Sequence, residues 1–146
     1  MYKLRNLLGL PVLESKSGIQ IGEVQEVILD IEKVTVRGII VANATWFTQD
    51  QGVMLADLYR IGPDAVMVRD RQVVRELSDI LNSNNVFRFS ELSEKQIFTE
   101  TGQCLGSLVD IIYDHITGEI KAYEVSDGLL TDLLYGRMVM PLPQAQ

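Results

Sequence analysis

An internal repeat is the feature of this sequence that most limits its fold. Residues 17–42 align without a gap with residues 101–126, and glycines and apolar residues fall at matching points of the two copies. The residues paired at the offset of 84 (102 − 18) include Gly18 with Gly102, Gly22 with Gly106, Ile28 with Ile112, and Asp30 with Asp114. A repeat of this kind predicts two copies of one structural unit in a single chain.

Each copy of the repeat is predicted to form a bent β-hairpin. Gly18 and Gly102 open the copies, because glycine readily takes the positive φ of a tight turn. A second glycine follows four residues later inside an apolar stretch, which is typical of a bulge or a sharp bend in a strand. The chain then turns at Asp30 or at Asp114 and returns along a second strand, since aspartate side chains accept hydrogen bonds from nearby turn N–H groups.

Short strands flank the hairpin of the first copy. Residues 10–13 precede it, and residues 53–56 and 65–68 follow it, with Gly62 and Pro63 marking a turn between the last two. Closely spaced short strands separated by turn residues are typical of a small barrel, which leaves no sheet edge exposed. The sequence therefore predicts an all-β protein made of two tandem small β-barrels with one or two short helices.

One helix is predicted between the two copies. Apolar residues between positions 73 and 81 fall on one helical face, and Asp70 before them is a candidate N-cap. The polar tetrad at 82–85 then ends the helix, because short polar side chains compete for backbone hydrogen bonds. This boundary predicts a first module at residues 1–81, with the helix trailing it, and a second module at residues 86–146.

The second module has no evident counterpart of the first module's last strand. In the first module, residues 65–68 follow the strand at 53–56, whereas the second module reaches the matching point at residues 139–142 and the sequence stops at Gln146. We therefore expect a second barrel that is open at this edge, or that is completed by residues 86–89, by a neighbouring chain in a homodimer, or by more residues of a longer protein. An open edge would offer a docking site for a partner strand.

Charge and composition argue against several classes of function. The net charge is −7: residues 1–72 hold eight Lys/Arg against nine Asp/Glu, and residues 73–146 hold five against eleven. An acidic half repels phosphate, so direct RNA or DNA binding is not expected. No apolar run approaches the roughly 18 residues of a membrane span, and no leader peptide is recognisable. With a single cysteine, Cys104, the chain is expected to be cytoplasmic.

No set of residues matches a catalytic, cofactor-binding or metal-binding pattern. His115 is the only histidine and lies at the predicted turn, whereas a zinc site needs at least three ligands. Cys104 has no second cysteine and no activating cation beside it in sequence, which favours an inert thiol. The glycine pairs lack the Lys-Ser/Thr that follows a phosphate-binding loop. We therefore expect no enzyme, and purely structural turns at Gly18, Gly22, Asp30, Gly102, Gly106 and Asp114.

Two clusters are candidates for a partner surface. Trp46 and Phe47 lie in a loop between strands, where they either pack on the barrel or anchor a partner. Residues 127–136 resemble a short helix with leucines on one side, which either packs on the mouth of the barrel or forms a partner groove. The candidate partner-binding residues are Trp46, Phe47, Leu129, Leu130 and Leu133.

The order and double occurrence of these elements resemble the PRC-barrel family. The resemblance covers residues 8–12, 18–24, 37–41 and 54–68 with the Asp30 turn, and then residues 102–125 and 136–143. The module is named from the cytoplasmic domain of the photosynthetic reaction centre H subunit and also ends a bacterial ribosome maturation factor. Neither role is expected to carry over, because the sequence shows neither the membrane helix of the first nor the preceding domain of the second.

The resemblance implies a protein-binding fold without an enzymatic site. The leading expectation is a non-enzymatic adaptor, or an assembly or maturation factor, that binds another protein and has no cofactor. The alternative is a protein that binds a small ligand or a lipid headgroup in a pocket between the two barrels. A deep cavity with converging polar groups would favour the alternative, and a flat, well-packed junction would exclude it.

Overall fold

The computed structural model describes residues 2–42, 49–82, 85–126, 130–132 and 138–139. Most of these residues lie in strands, with α-helices only at α1 (Leu77–Ile80) and α2 (Phe89–Leu92) within the described ranges. The strands are β1 (Tyr2–Lys3), β2 (Pro11–Glu14), β3 (Gln20–Asp30), β4 (Thr35–Ala42), β5 (Gln51–Met54), β6 (Arg60–Ile61), β7 (Val66–Val68), β8 (Arg75–Glu76), β9 (Val86–Arg88), β10 (Gln96–Thr99), β11 (Cys104–Tyr113), β12 (Ile120–Val125), β13 (Leu130–Asp132) and β14 (Met138–Val139). Short 3-10 turns occupy Leu4–Leu7, Leu55–Asp57 and Arg71–Val73.

The strands form two sheets. The first follows the order β6-β7-β2-β3-β4-β5-β8, and the second follows β13-β12-β11-β10-β14. Two further strands lie off these paths: β9 pairs with β3, and β1 pairs with β11. The predicted all-β class with short helices is therefore confirmed.

The two copies of the repeat form equivalent bent hairpins, as predicted. β3 pairs antiparallel with β4, and β11 pairs antiparallel with β12. Each pair of the second hairpin lies 84 residues beyond a pair of the first, as when Val24↔Val41 becomes Leu108↔Val125 and Leu29↔Val36 becomes Tyr113↔Ile120. The register shifts also fall at the same two places, so both hairpins carry their bulges at matching points.

Each module donates a strand to the other module's sheet. β1, at the start of the chain, pairs with β11 and places Tyr2 opposite Tyr113. β9, just before the second copy, pairs with β3 and places Phe87 opposite Leu29. Leu29 and Tyr113 are equivalent in the repeat, so the two donated strands occupy equivalent positions. The expectation that residues 86–89 complete the second barrel is therefore wrong, because β9 belongs to the first sheet.

The two modules are related by approximate two-fold symmetry. Thr35 forms an isolated bridge with Glu119, its own equivalent 84 residues on, so the symmetry axis passes between them. On either side of this bridge a backbone N–H of one module donates to a carbonyl of the other, Val36 to Gly118 at 2.7 Å and Ile120 to Val34 at 2.9 Å. Val34 and Gly118 both have a positive φ, +54° and +82°, which for the β-branched Val34 is a strained conformation.

One hydrophobic core runs through both modules. Val27 of the first sheet and Ile111 of the second are buried in the same cluster, together with Phe87 and Tyr113. A shared contact network of this kind normally marks one folding unit. The exchanged strands therefore join the modules by packing as well as by backbone pairing.

The helix predicted over residues 73–81 is mostly wrong. Asp70 does act as a cap, since its carboxylate accepts the Gln72 N–H at 2.9 Å, but it caps a single 3-10 turn. The chain then pairs with β5 as β8, and only α1 is helical. Gly52 of β5 favours this path, because a side chain there would overlap that of Ile80, which α1 packs against β5.

The helix predicted over residues 127–136 is contradicted at its centre. Leu130 begins β13, which pairs with β12 at the place where β5 pairs with β4 in the first sheet. Pairing with the edge of β12 outweighs the helical spacing of the leucines, because tertiary context decides such short segments. Leu129 and Leu133 lie outside the described residues.

The edge of the second sheet is covered where the sequence predicted it open. β14 pairs antiparallel with β10, with Val139 opposite Phe98. β10 is the equivalent of β2, which in the first sheet carries β7 in parallel orientation. The counterpart of β5 is thus β13, and not residues 139–142, which are the counterpart predicted from the sequence. The two-residue strand β14 lies beside β10, where β7 lies beside β2 in the first sheet.

Candidate functional site: the junction cleft

Two surface depressions adjoin each other where the two modules meet. A wide cleft of about 620 Å³ is lined by Tyr2, Lys3, Asn6, Leu7, Ile61, Gly62, Pro63 and Tyr113. A narrow cleft of about 380 Å³ is lined by Tyr2, Leu55, Ala56, Leu58, Tyr59, Arg60, Ile61, His115 and Ile116. The two share Tyr2 and Ile61, and we refer to them together as the junction cleft.

Strand exchange builds one wall of the junction cleft. Because β1 pairs with β11, Tyr2 lies beside the second hairpin although it belongs to the start of the chain. Its ring stacks on His115, with 4.1 Å between ring centroids and 7° between planes. The same ring meets Tyr113 edge-on at 6.2 Å. Both arrangements are favourable aromatic geometries, so Tyr2 is held between two residues of the second module.

Two buried carboxylates hold the exchanged segments. Asp110 accepts the backbone N–H of Arg5 at 3.0 Å, at the start of the turn that follows β1. Its repeat equivalent, Glu26, accepts the backbone N–H of Ser90 at 3.2 Å, at the start of α2. Each carboxylate lies on a bulged strand and also accepts the N–H of the next residue. A buried acid is favoured where it satisfies several donors, so these two acids fix where each donated segment enters.

Arg5 strengthens the attachment on the second module. Its guanidinium donates to the carbonyl of Val109 and, at 2.8 Å, to the hydroxyl of Ser93. It also lies 5.0 Å from the ring centroid of Phe89, within the range of a cation–π contact. One residue of the first segment thus contacts three separate parts of the second module behind the cleft.

A tight turn presents Ile116 at the rim of the narrow cleft. The carboxylate of Asp114 accepts the backbone N–H groups of Ile116 and Thr117 at 2.8 and 3.2 Å. These two hydrogen bonds hold the pKa of the Asp114 carboxyl below its ordinary value, so the carboxylate stays charged and the turn stays closed at neutral pH. Ile116 is 80% exposed, the most exposed of the large apolar side chains in the described residues. The turn therefore holds an isoleucine in water beside a cleft that has both polar and apolar lining residues.

The opposite rim comes from the β6–β7 hairpin of the first module. Tyr59 is 41% exposed, and its backbone N–H donates to the Met67 carbonyl at 2.8 Å. The guanidinium carbons of Arg69 and Arg60 lie 4.1 and 5.2 Å from its ring centroid. Tyr59 and Arg60 thus line the narrow cleft together with Ile116 of the second module, and Arg69 lies against the Tyr59 ring.

A buried tyrosine forms the inner wall of the wide cleft. Tyr113 is fully buried, and its hydroxyl has no hydrogen-bond partner among the described residues. Burial raises the pKa of this phenol, so it stays neutral and remains a potential donor. At the cleft's outer edge Lys3 forms an ion pair with Glu124 at 3.5 Å.

Four of the five predicted partner residues lie outside the described part of the chain, and the fifth is described only as part of a strand. Trp46 and Phe47, like Leu129 and Leu133, lie outside the described residues, and Leu130 begins β13. His115 lies in the predicted turn, and its ring is half-buried and stacked on Tyr2. Cys104 is exposed, away from the cleft's lining.

The predicted turn residues lie in turns or beside bulges. Gly18 and Gly102 have φ values of +72° and +92° in the turns that open the hairpins. Gly22 and Gly106 lie next to matching register shifts between each hairpin and its flanking strand. Asp30 is buried and accepts the Lys33 N–H at 2.9 Å, the counterpart of the turn at Asp114.

A comparison with protein-family models decides the family. The PRC-barrel domain model matches residues 1–75 and again residues 84–139. The chain belongs to the PRC-barrel family. Its two PRC-barrel segments coincide with the two symmetry-related halves described above, each beginning with the strand that it donates. A comparison with curated proteins found no match to the chain.

Neither a metal-ligand group nor a membrane-spanning helix occurs among the described residues of these PRC-barrel segments. Within residues 2–42, 49–82 and 85–126, no three His, Cys, Asp or Glu side chains are placed to hold a metal ion together. Among the described helices, none has the length and apolar character needed to cross a membrane.

Proposed function

We propose that this chain is a non-enzymatic adaptor or assembly factor that binds a segment of another protein in the junction cleft. The observation that carries the proposal is Ile116, which is 80% exposed beside a cleft whose lining comes from both modules and includes Leu55, Leu58 and Ile61. Water contact with so large an apolar side chain is unfavourable, and a partner that covers it gains about 25 cal/mol per Å² of apolar surface buried.

The lining of the narrow cleft supports a protein as the occupant. Tyrosine and arginine contribute more binding energy at protein interfaces than most residues, and Tyr59 and Arg60 stand here beside an exposed isoleucine. Arg60 in the lining and Arg69 on the Tyr59 ring favour a segment with an acidic residue at this end of the cleft. Within the narrow cleft, His115 is stacked on Tyr2, which supports packing rather than catalysis as its role.

Comparative capture from native extract tests the proposal. The baits are the wild-type chain, Ile116→Asp, and the matched control Ile19→Asp, because Ile19 is also an exposed turn isoleucine (48%) but lies outside the cleft. We expect wild type and Ile19→Asp to capture at least one protein that Ile116→Asp does not capture. The free energies of unfolding of the three baits should agree within about 0.5 kcal/mol. The same proteins on all three baits, or none on any, would contradict docking at the cleft.

Binding of a small ligand in the wide cleft is the second candidate. The buried hydroxyl of Tyr113 favours it, because it has no hydrogen-bond partner among the described residues, and a ligand acceptor would satisfy this donor once the wall of the cleft opens to it. Thermal shift with glycerol 3-phosphate, as a model lipid headgroup, is the simplest assay. A rise in melting temperature that Lys3→Gln and Tyr113→Phe both abolish would support this candidate, and no rise at millimolar ligand would exclude headgroup binding.

A further inference from the structure

Two arginines that pair with no carboxylate among the described residues lie on one exposed tyrosine at the rim of the narrow cleft. The guanidinium carbon of Arg69 is 4.1 Å from the Tyr59 ring centroid, and that of Arg60 is 5.2 Å from it. The pairing of β6 with β7 brings them together, since Arg60 lies opposite Met67. Stacking on an aromatic face restricts the motion of a guanidinium group, while the N–H groups in the guanidinium plane remain able to donate.

These two arginines differ from three other arginines in the described residues, each of which pairs with a carboxylate. Arg71 pairs with Glu14 at 3.3 Å, Arg75 with Asp57 at 3.4 Å, and Arg37 with Asp30 at 4.0 Å. In the part of the chain that the structure describes, neither Arg60 nor Arg69 contacts a carboxylate. A chain with a net charge of −7 thus keeps two neighbouring cations unneutralised beside its exposed apolar rim.

We propose that Arg60 and Arg69 bind a carboxylate of the docked protein segment, so that the partner carries an aspartate or glutamate next to an apolar residue. This inference rests on the proposed function, and it names the chemistry of the partner. The apolar residue packs against Ile116 while the neighbouring carboxylate accepts hydrogen bonds from the guanidinium groups. Planar guanidinium groups suit this task because two parallel N–H donors match the two oxygens of a carboxylate.

An acidic protein segment fits this site better than an anionic membrane. Stable attachment to anionic lipid takes clusters of about four to eight basic residues, whereas this rim has two stacked arginines. The net charge of −7 also repels an anionic surface as a whole. A single carboxylate needs only local positive charge. A protein segment can supply it together with the apolar side chain that packs against Ile116.

Peptide titration followed by ¹⁵N–¹H NMR tests the inference on the full chain. The probes are N-acetyl-Gly-Glu-Leu-Gly-amide and the matched peptide with Gln in place of Glu. We expect the Glu peptide to bind about threefold to tenfold more tightly, the ratio typical of one solvent-exposed charged hydrogen bond. This ratio should fall to about one in the double variant Arg60→Gln, Arg69→Gln. It should persist in the control Arg75→Gln, whose arginine is exposed but already paired with Asp57.

The outcomes separate this inference from the proposed function. Equal binding of the two peptides to wild type, or a ratio that survives the double variant, would overturn carboxylate recognition. If Ile116→Asp still weakened the binding of both peptides, docking of a protein segment would stand without carboxylate recognition. If no NMR chemical shift of a cleft residue changed with up to about 10 mM peptide, the inference would also be overturned. Docking of a protein segment would then be judged by the capture experiment alone. If the wild-type chain sedimented with phosphatidylglycerol vesicles and the double variant did not, membrane binding would replace carboxylate recognition as the role of the two arginines.

Discussion

Replacing Asp110 with alanine measures how strongly the exchanged N-terminal segment is held. The Asp110 carboxylate accepts the Ile111 N–H at 2.8 Å and the Arg5 N–H at 3.0 Å. The Ile111 N–H lies in the bulge of β11 and is buried, so alanine leaves it without a partner at a cost of about 1–3 kcal/mol. The Arg5 N–H is half-buried, so water can replace the carboxylate there and the further loss is about 1 kcal/mol. We therefore expect a loss of about 2–4 kcal/mol in the free energy of unfolding.

Urea unfolding at pH 7, followed by far-UV circular dichroism, gives this difference as a shift of the midpoint at unchanged slope. Asp110→Asn is the matched control, because its amide oxygen can accept the same two hydrogen bonds. It should lose less than half as much stability as Asp110→Ala. An alanine variant within about 0.5 kcal/mol of wild type would refute the reasoning, because the two N–H groups would then not depend on this side chain.

Three further substitutions have defined outcomes. Hydrogen bonds, chiefly from the Arg71 side chain, lower the pKa of Glu14 from 4.5 to about 2. The charged Glu14 carboxylate therefore contributes its full share of stability above pH 4.5, and this share is lost as the pH falls towards 2. Acid-induced unfolding between these pH values should be steeper in wild type than in Glu14→Gln. Gly38→Ala should destabilise by about 1–3 kcal/mol in urea melts, because the added methyl group would overlap the backbone carbonyl of Val53, and a loss below about 0.5 kcal/mol would contradict this. His115→Ala should cost about 0.5–1.5 kcal/mol through loss of its aromatic stack, whereas His115→Phe should retain most of the stability.

The hairpins were predictable because their determinants are local. Gly18 and Gly102 need a positive φ, and Asp30 and Asp114 satisfy turn N–H groups within three residues, so sequence spacing alone locates these turns. The same spacing in both copies then fixes the pairing of each hairpin. The helix predicted over residues 73–81 failed because its apolar spacing says nothing of β5, whose pairing with β8 interrupts it.

The exchange of strands was not predicted, because nothing local says which sheet a two- or three-residue strand will join. A signal was nevertheless present upstream of the aligned repeat. At an offset of 85, buried Leu4 and Leu7 match buried Phe89 and Leu92. A second signal was the acid within each otherwise apolar strand, Glu26 and its equivalent Asp110, since a buried carboxylate needs donors from elsewhere in the chain.

The residues of the junction cleft were missed for the same reason. Tyr2, Tyr59 and Ile116 are far apart in sequence, and only the pairing of β1 with β11 brings the first beside the third. In sequence each resembles an ordinary surface residue. A single exposed apolar residue is unremarkable in itself, and only its place beside a cleft makes Ile116 a candidate for binding.

Native-state hydrogen exchange tests most directly whether the two PRC-barrel modules, divided in sequence near residues 82–85, form one cooperative unit through their exchanged strands. The slowest amides of the β3–β4 hairpin and of the β11–β12 hairpin should give the same free energy of opening. Asp110→Ala should lower both values equally, although the substitution lies only in the second module. A decrease confined to β11 and β12, with β3 and β4 unchanged, would show that the modules unfold independently and would contradict the account.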